Sequence, residues 1–220
     1  MNTRKLIVLL PMLLSAVLSA CAPATTPSPA ASIPTTAVPP TQAPTVAVAP
    51  TATTFTSKSF KVPMSVTFGA DWNVTDDASD LLVVQYKKAD FFVGFNLVTG
   101  TTLADPANGQ AIPFPEDFLS WIQSDPDFSA IESTQVTVGG ISGLQIDATA
   151  IATRKKHVLI LKTSGWDLVS VSEHPERWRF IDLGTVQGER LLILSIAPAD
   201  QFESLVQEAQ VILAGVVFLP

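Results

Sequence analysis

From Ala22 to Ser57 the chain is built mainly of alanine, threonine, proline, serine and valine, and it contains no charged residue. Prolines recur from Pro23 to Pro50, each removing a backbone donor and excluding helix. Such a stretch buries too little to fold alone. It is expected to be an extended tether, reaching about 100 Å if drawn out and about 35 Å as a coil. Its threonine and proline content suits either a plain spacer or an O-glycosylated stalk. Folding is thereby confined to the residues beyond Ser57. Charge starts at Lys58 and apolar alternation at Phe60, so a single folded domain is expected over residues 58–220, with 21–57 as linker. A domain of that size buries roughly 70% of its unfolded surface, enough for a self-sufficient core.

The first 20 residues carry a different signal. Arg4 and Lys5 precede an apolar run from Leu6 to Leu18, and small residues come next, the layout of a secretory signal peptide. The run is shorter than the ~20 apolar residues of a membrane span. Its closing tetrad, Leu18-Ser19-Ala20-Cys21, resembles the lipobox of bacterial lipoproteins. That resemblance implies cleavage before Cys21, a diacylglyceryl thioether on its sulfur and an acylated new amino terminus. Two or three acyl chains, at about 0.8 kcal/mol per buried methylene, hold a protein firmly on a bilayer. The expected location is the extracytoplasmic face of the cell membrane. Cys21 is the sole cysteine, so no intrachain disulfide forms and stability rests on the core.

Cleavage there removes Arg4 and Lys5 and leaves 11 basic against 20 acidic residues, a side-chain balance of about −9. An acidic surface disfavours nucleic acid as a partner. It also offers little attraction to anionic lipid, so the expected membrane contact is the anchor itself.

Within the domain, Phe60, Val62, Met64, Val66 and Phe68 alternate with Lys61, Pro63, Ser65 and Thr67, a period of two that lays one face on a core. Pro63 cannot donate to a ladder and points to an edge position. Further strands are expected at Leu81–Lys87, Phe91–Val98, Thr134–Val138, Leu144–Ala150, His157–Thr163, Asp167–Ser172, Arg177–Leu183 and Glu189–Ile196. Short connections imply antiparallel pairing. One helix is expected from Pro115, with Glu116 and Asp117 favouring its dipole and Pro126 ending it. A second starts at an Asp200 cap with Glu203 as reciprocal partner, and runs an apolar stripe from Phe202 through Leu205, Val206, Ala209, Ile212 and Leu213 to Val216. Runs of strands with few helices indicate an α+β fold, a mainly antiparallel β-sheet flanked by helices.

An opening Phe-x-Val-Pro strand, the Asp71-Trp72 pair, a middle helix, the Val136–Gly143 hairpin and the closing Phe202–Phe218 segment come in an order that resembles the PsbP-like domain. The resemblance spans about Phe60 to Phe218. It implies an α/β/α sandwich whose family members, among them photosystem subunits, assembly factors and bacterial lipoproteins, act by binding partners. No photosynthetic signature is present, so that particular role does not carry over.

No H-E-x-x-H, G-x-S-x-G, Walker A or G-x-G-x-x-G pattern occurs, and no catalytic residue or cofactor is assigned. The two histidines, His157 and His174, fall short of the three protein ligands of a zinc site. Asp76, Asp77 and Asp80 supply oxygens without the glycine and closing glutamate of a calcium loop. Glu173 and Glu176 could pair as carboxylates, and Arg154-Lys155-Lys156 could meet a phosphate or simply keep a turn in water. Gly139 to Gly143 could cradle an anion or turn a hairpin. Trp166, His174, Arg177 and Trp178 are the candidates for contacting a ligand or partner, with packing in the core the competing reading for either tryptophan. The expected function is a membrane-anchored, non-enzymatic binding or assembly module whose partner is an envelope protein or small ligand. Alternatives are a cell-surface hydrolase using carboxylates or His174, and a structural component of an envelope complex.

Overall fold

A computed structural model describes residues 52–104, 110–150, 160–162, 167–169 and 175–220. The strands are β1 (Thr53–Thr56), β2 (Met64–Phe68), β3 (Trp72–Asp77), β4 (Leu81–Tyr86), β5 (Phe91–Leu97), β6 (Thr102–Ala104), β7 (Ala111–Pro113), β8 (Phe128–Val138), β9 (Ile141–Ala150), β10 (Ile160–Lys162), β11 (Asp167–Val169), β12 (Glu176–Val186), β13 (Glu189–Pro198) and β14 (Val216–Phe218). Among the described residues two helices join them, α1 (Phe118–Ser124) between β7 and β8, and α2 (Phe202–Ala214) between β13 and β14. The fold is α+β, and the strand pairings are antiparallel.

A seven-stranded sheet in the order β3-β4-β5-β13-β12-β9-β8 forms the centre, and its central strands are buried on both faces. The reason is visible in β13. Leu191 and Ile193 join the core on the α2 side, while Leu192 and Leu194 join the core on the α1 side, as a period of two requires. On the first face, α2 and the small sheet β1-β2-β14 pack through Phe202, Val206, Ile212, Met64 and Val66. On the second, α1 seats Phe118 and Ile122 against Trp178, Phe180 and Ile146. A four-stranded sheet, β11-β10-β6-β7, completes the structure among the described residues.

The fold corrects several sequence expectations. The linker does not extend to Ser57, because Thr53–Thr56 pairs with Ser65–Phe68 as β1; lack of charge does not prevent a threonine-rich segment from adding to a sheet. Pro63 marks no edge. It lies just before β2, the middle strand of its sheet, and its carbonyl accepts a bond from Leu219 N at 2.8 Å. Helix α1 begins after Pro115 and Glu116, with Asp117 as its cap. Asp200 does not cap α2: Gln201 holds that position without a side-chain bond, and Glu203 is drawn instead to Arg177. The helix ends before Gly215, so Val216 is buried in β14 rather than on the helical stripe.

The glycine at 215 has a steric cause. A Cβ there would lie 2.3 Å from the carbonyl oxygen of Thr67, and Thr67 N donates to Gly215 O at 3.0 Å. The chain can leave α2 and enter β14 beside β2 only with no side chain at that point.

Candidate functional site

Of the four candidates for recognition the structure describes two, and those two leave opposite faces of the sheet. Trp166 and His174 lie outside the described residues, as do Cys21, Glu173, His157 and Arg154 to Lys156. Arg177 and Trp178 are adjacent in β12, so their side chains leave opposite faces of the sheet. Trp178 is fully buried beside Phe128 and Phe180, its Nε1 donating to Glu176 Oε2 at 3.2 Å. The expectation of an exposed, ligand-facing Trp178 is therefore corrected: it is a core residue. Arg177 pairs with Glu203 and lies 4.4 Å over the Phe202 ring, fixing the start of α2.

A second arginine deepens that latch. Arg179 donates from Nε and Nη2 to the two oxygens of Asp147, both at 2.7 Å. Its guanidinium sits 5.5 Å from the Phe202 ring. Gln145 Nε2 donates to Asp147 Oδ2 at 3.1 Å, so the buried carboxylate is well occupied. This is a fork-on-fork pair, the geometry in which arginine is most strongly held.

Of the Asp76, Asp77 and Asp80 group, Asp77 serves the fold. Asp77 accepts bonds from the Ser57 hydroxyl and from Lys58 N, tying the entry segment to the β3–β4 hairpin. Among the described residues no group of three or more histidine, cysteine or acidic side chains converges. Gly139 and Gly140 form the two-residue turn of the β8–β9 hairpin, with φ of 57° and 82°. Two positive values in succession suit a primed hairpin turn.

The feature that the sequence did not disclose lies close behind that hairpin turn, on the sheet face that α1 covers only in part. Glu116, Gln135, Ser142, Leu144, Asp182, Thr185 and Arg190 line an open depression of about 570 Å³. Gln135 stands opposite Leu144 and Leu144 opposite Asp182, so one transverse row of the sheet makes the floor. A bulge in β12 between Asp182 and Thr185 widens it, a device that re-aims side chains near a strand's end.

Arg190 organises the wall. Its Nη2 donates to Asp182 Oδ2 at 2.6 Å and to Glu116 O at 2.9 Å, and its Nη1 to Pro115 O at 2.6 Å. The guanidinium lies 4.7 Å over the Phe114 ring. Asp182 Oδ1 also accepts from Gly184 N at 2.9 Å, closing the bulge. The arginine and aspartate thus spend their capacity on each other and on backbone, which holds the loop before α1 against the sheet. The Glu116, Gln135, Ser142 and Thr185 side chains stand exposed around this fixed floor. Gly184 inside a strand-like run was the one available signal, since an interior glycine often marks a bulge. Nothing in the sequence linked it to Glu116 or Gln135.

No protein-family model matches the chain, and no curated protein is significantly similar to it. Among solved structures, the crystal structure of LpqN, described as involved in cell envelope biogenesis of Mycobacterium tuberculosis, is similar to this chain at 15% identity and a TM-score of 0.42, covering 77% of this chain and 92% of LpqN. A likeness of that degree assigns no function.

Proposed function

We propose that this protein is a lipid-anchored, extracytoplasmic binding or assembly module with a PsbP-like domain, and that it works by contact rather than by catalysis. The observation that carries the anchor is the Leu18-Ser19-Ala20-Cys21 tetrad followed at once by a charge-free, proline-rich tether. Acyl chains on Cys21 give stable attachment, and the tether lets the domain search a shell of about 35 Å around its anchor. What supports binding is the open depression beside β8, lined by polar and apolar groups alike. Its floor is held rigid by Arg190 and Asp182, and a preorganised surface loses little freedom when a partner docks.

The anchor and the contact are tested separately. Palmitate labelling of cells is expected to tag the wild-type chain, and Cys21→Ala is expected to lose the label and leave the membrane fraction. Retention of that variant after a salt wash would sink the anchor. For contact, a photo-crosslinking residue at position 142 in the anchored chain is expected to give a discrete adduct. The same residue at position 211, exposed on α2, is expected to give none. Equal or absent adducts at both positions would remove the binding reading.

A further inference from the structure

Among the described residues, the outer edge of the seven-stranded sheet is β8, which pairs there with β9 on one side only. Its hydrogen-bonding pattern follows from the hairpin. Val138 is paired with Ile141 across a two-residue turn, and at that spacing the two residues must exchange both backbone bonds with each other. Alternation then sets every position behind it. Val136 and Thr134 bond inward to β9, whereas Thr137, Gln135 and Ser133 point their N–H and C=O groups outward. All three of these residues are exposed.

Edge strands are commonly blunted by charge, proline or a bulge. In β8 the bulge, with Ala130 at φ 47°, and the charge of Glu132 lie together at one end. Ser133 to Val138 carries neither charge nor proline. Six residues of open ladder are therefore presented beside the depression, and Gln135 belongs to both. A residue placed opposite Gln135 on an added strand shares its face, so a long side chain there extends over Gln135 toward the mouth of the depression, where Glu116 stands exposed. Asp182 and Arg190 are paired with each other there, which leaves the exposed Glu116 carboxylate as the charge that an incoming side chain meets, on a domain with an excess of acidic residues.

We infer that β8 is a strand-addition site for an extended segment of another polypeptide carrying a lysine or arginine opposite Gln135. Main-chain bonds to Ser133, Gln135 and Thr137 supply the pairing, and the depression reads the basic side chain. Charge decides the occupant. A second copy would bring two domains with an excess of acidic residues together, and the chain's own linker has no basic residue to offer. This inference deepens the binding-module reading and rests on it for context.

The test uses the full chain in mild detergent and a capped heptapeptide, threonine at odd positions, valine at the second and sixth, and lysine at the fourth; a second peptide has glutamate at the fourth. Amide exchange at residue resolution is expected to show new protection at Ser133, Gln135 and Thr137 with the lysine peptide. Binding read by anisotropy is expected to favour lysine by about fivefold, the scale of one exposed ion pair, and to lose the preference in high salt. Gln135→Pro removes an outward N–H without touching the ladder to β9 and is expected to abolish binding with the fold intact by circular dichroism. Glu116→Gln is expected to shrink the lysine preference alone. Unchanged exchange at the three amides, full binding by Gln135→Pro, or equal affinity for both peptides would overturn the site. So would a dimer in sedimentation equilibrium that Gln135→Pro dissolves, which would give the edge to a second copy. None of these failures touches the membrane retention of the chain through Cys21, so the two readings fall separately.

Discussion

Asp117 shows how one side chain fixes an element. Its carboxylate accepts from Ser120 Oγ at 2.6 Å and from Ser120 N at 2.9 Å, satisfying a helix-start donor that would otherwise face water. Those bonds, the hydroxyl first and the amide second, hold its carboxyl below the usual aspartate range. A lowered folded value means that the charged cap stabilises the protein above the ordinary aspartate range, and that this contribution is lost as pH falls through the folded value. Acid titration of unfolding is expected to show a shallower acid limb for Asp117→Asn, which keeps a capping oxygen without the charge. Asp117→Ala is expected to lower the melting temperature at neutral pH as well. Arg179 and Asp147 pose the opposite case, each only 12% exposed. Arg179→Met strands a carboxylate in the sheet and is expected to cost about 3 kcal/mol, with Asp147→Leu in the same chain restoring much of it. Urea unfolding of the double-mutant cycle checks the coupling.

At the scale of elements, the join between α2 and the small sheet rests on backbone contact. Gly215→Ala forces a methyl group into the Thr67 carbonyl, so β2 and the helix end must separate. The melting temperature is expected to drop sharply for Gly215→Ala and little for Gly69→Ala, where the added carbon meets open space. Helix α2 itself was legible, since Phe202, Leu205, Val206, Ala209, Ile212 and Leu213 recur at helical spacing and all are buried. Its ends were not. Glu203 had the right spacing for a capping box with Asp200, yet Arg177, 26 residues away, holds it. Strands β4, β5, β12 and β13 stood out through their apolar content, whereas β3 and β14 did not. Trp72–Asp77 is mostly polar beyond its tryptophan and one valine, and Val216–Phe218 continues the helical pattern into a strand.

For the molecule as a whole, the boundary matters most. A chain beginning at Lys58 lacks β1, the partial burial of Phe55 and the Ser57–Asp77 bond. It is expected to melt below a chain beginning at Val46, by differential scanning calorimetry, although the charge pattern places both starts at or before the domain edge. The depression and the β8 edge also belong to this scale, because Glu116, Gln135, Ser142, Asp182 and Arg190 come from separate segments of the chain.

Local order sufficed for what depends on local order. The alternation of strands and the stripe of α2 are properties of neighbours along the chain, and neighbours are what a sequence displays. The burial of Trp178, the recruitment of Thr53–Thr56, the seat of Glu203 and the depression under Arg190 depend on partners brought together by long-range strand pairing. Distance in space, not along the backbone, sets those energies, so only the folded arrangement of the strands and helices decided them.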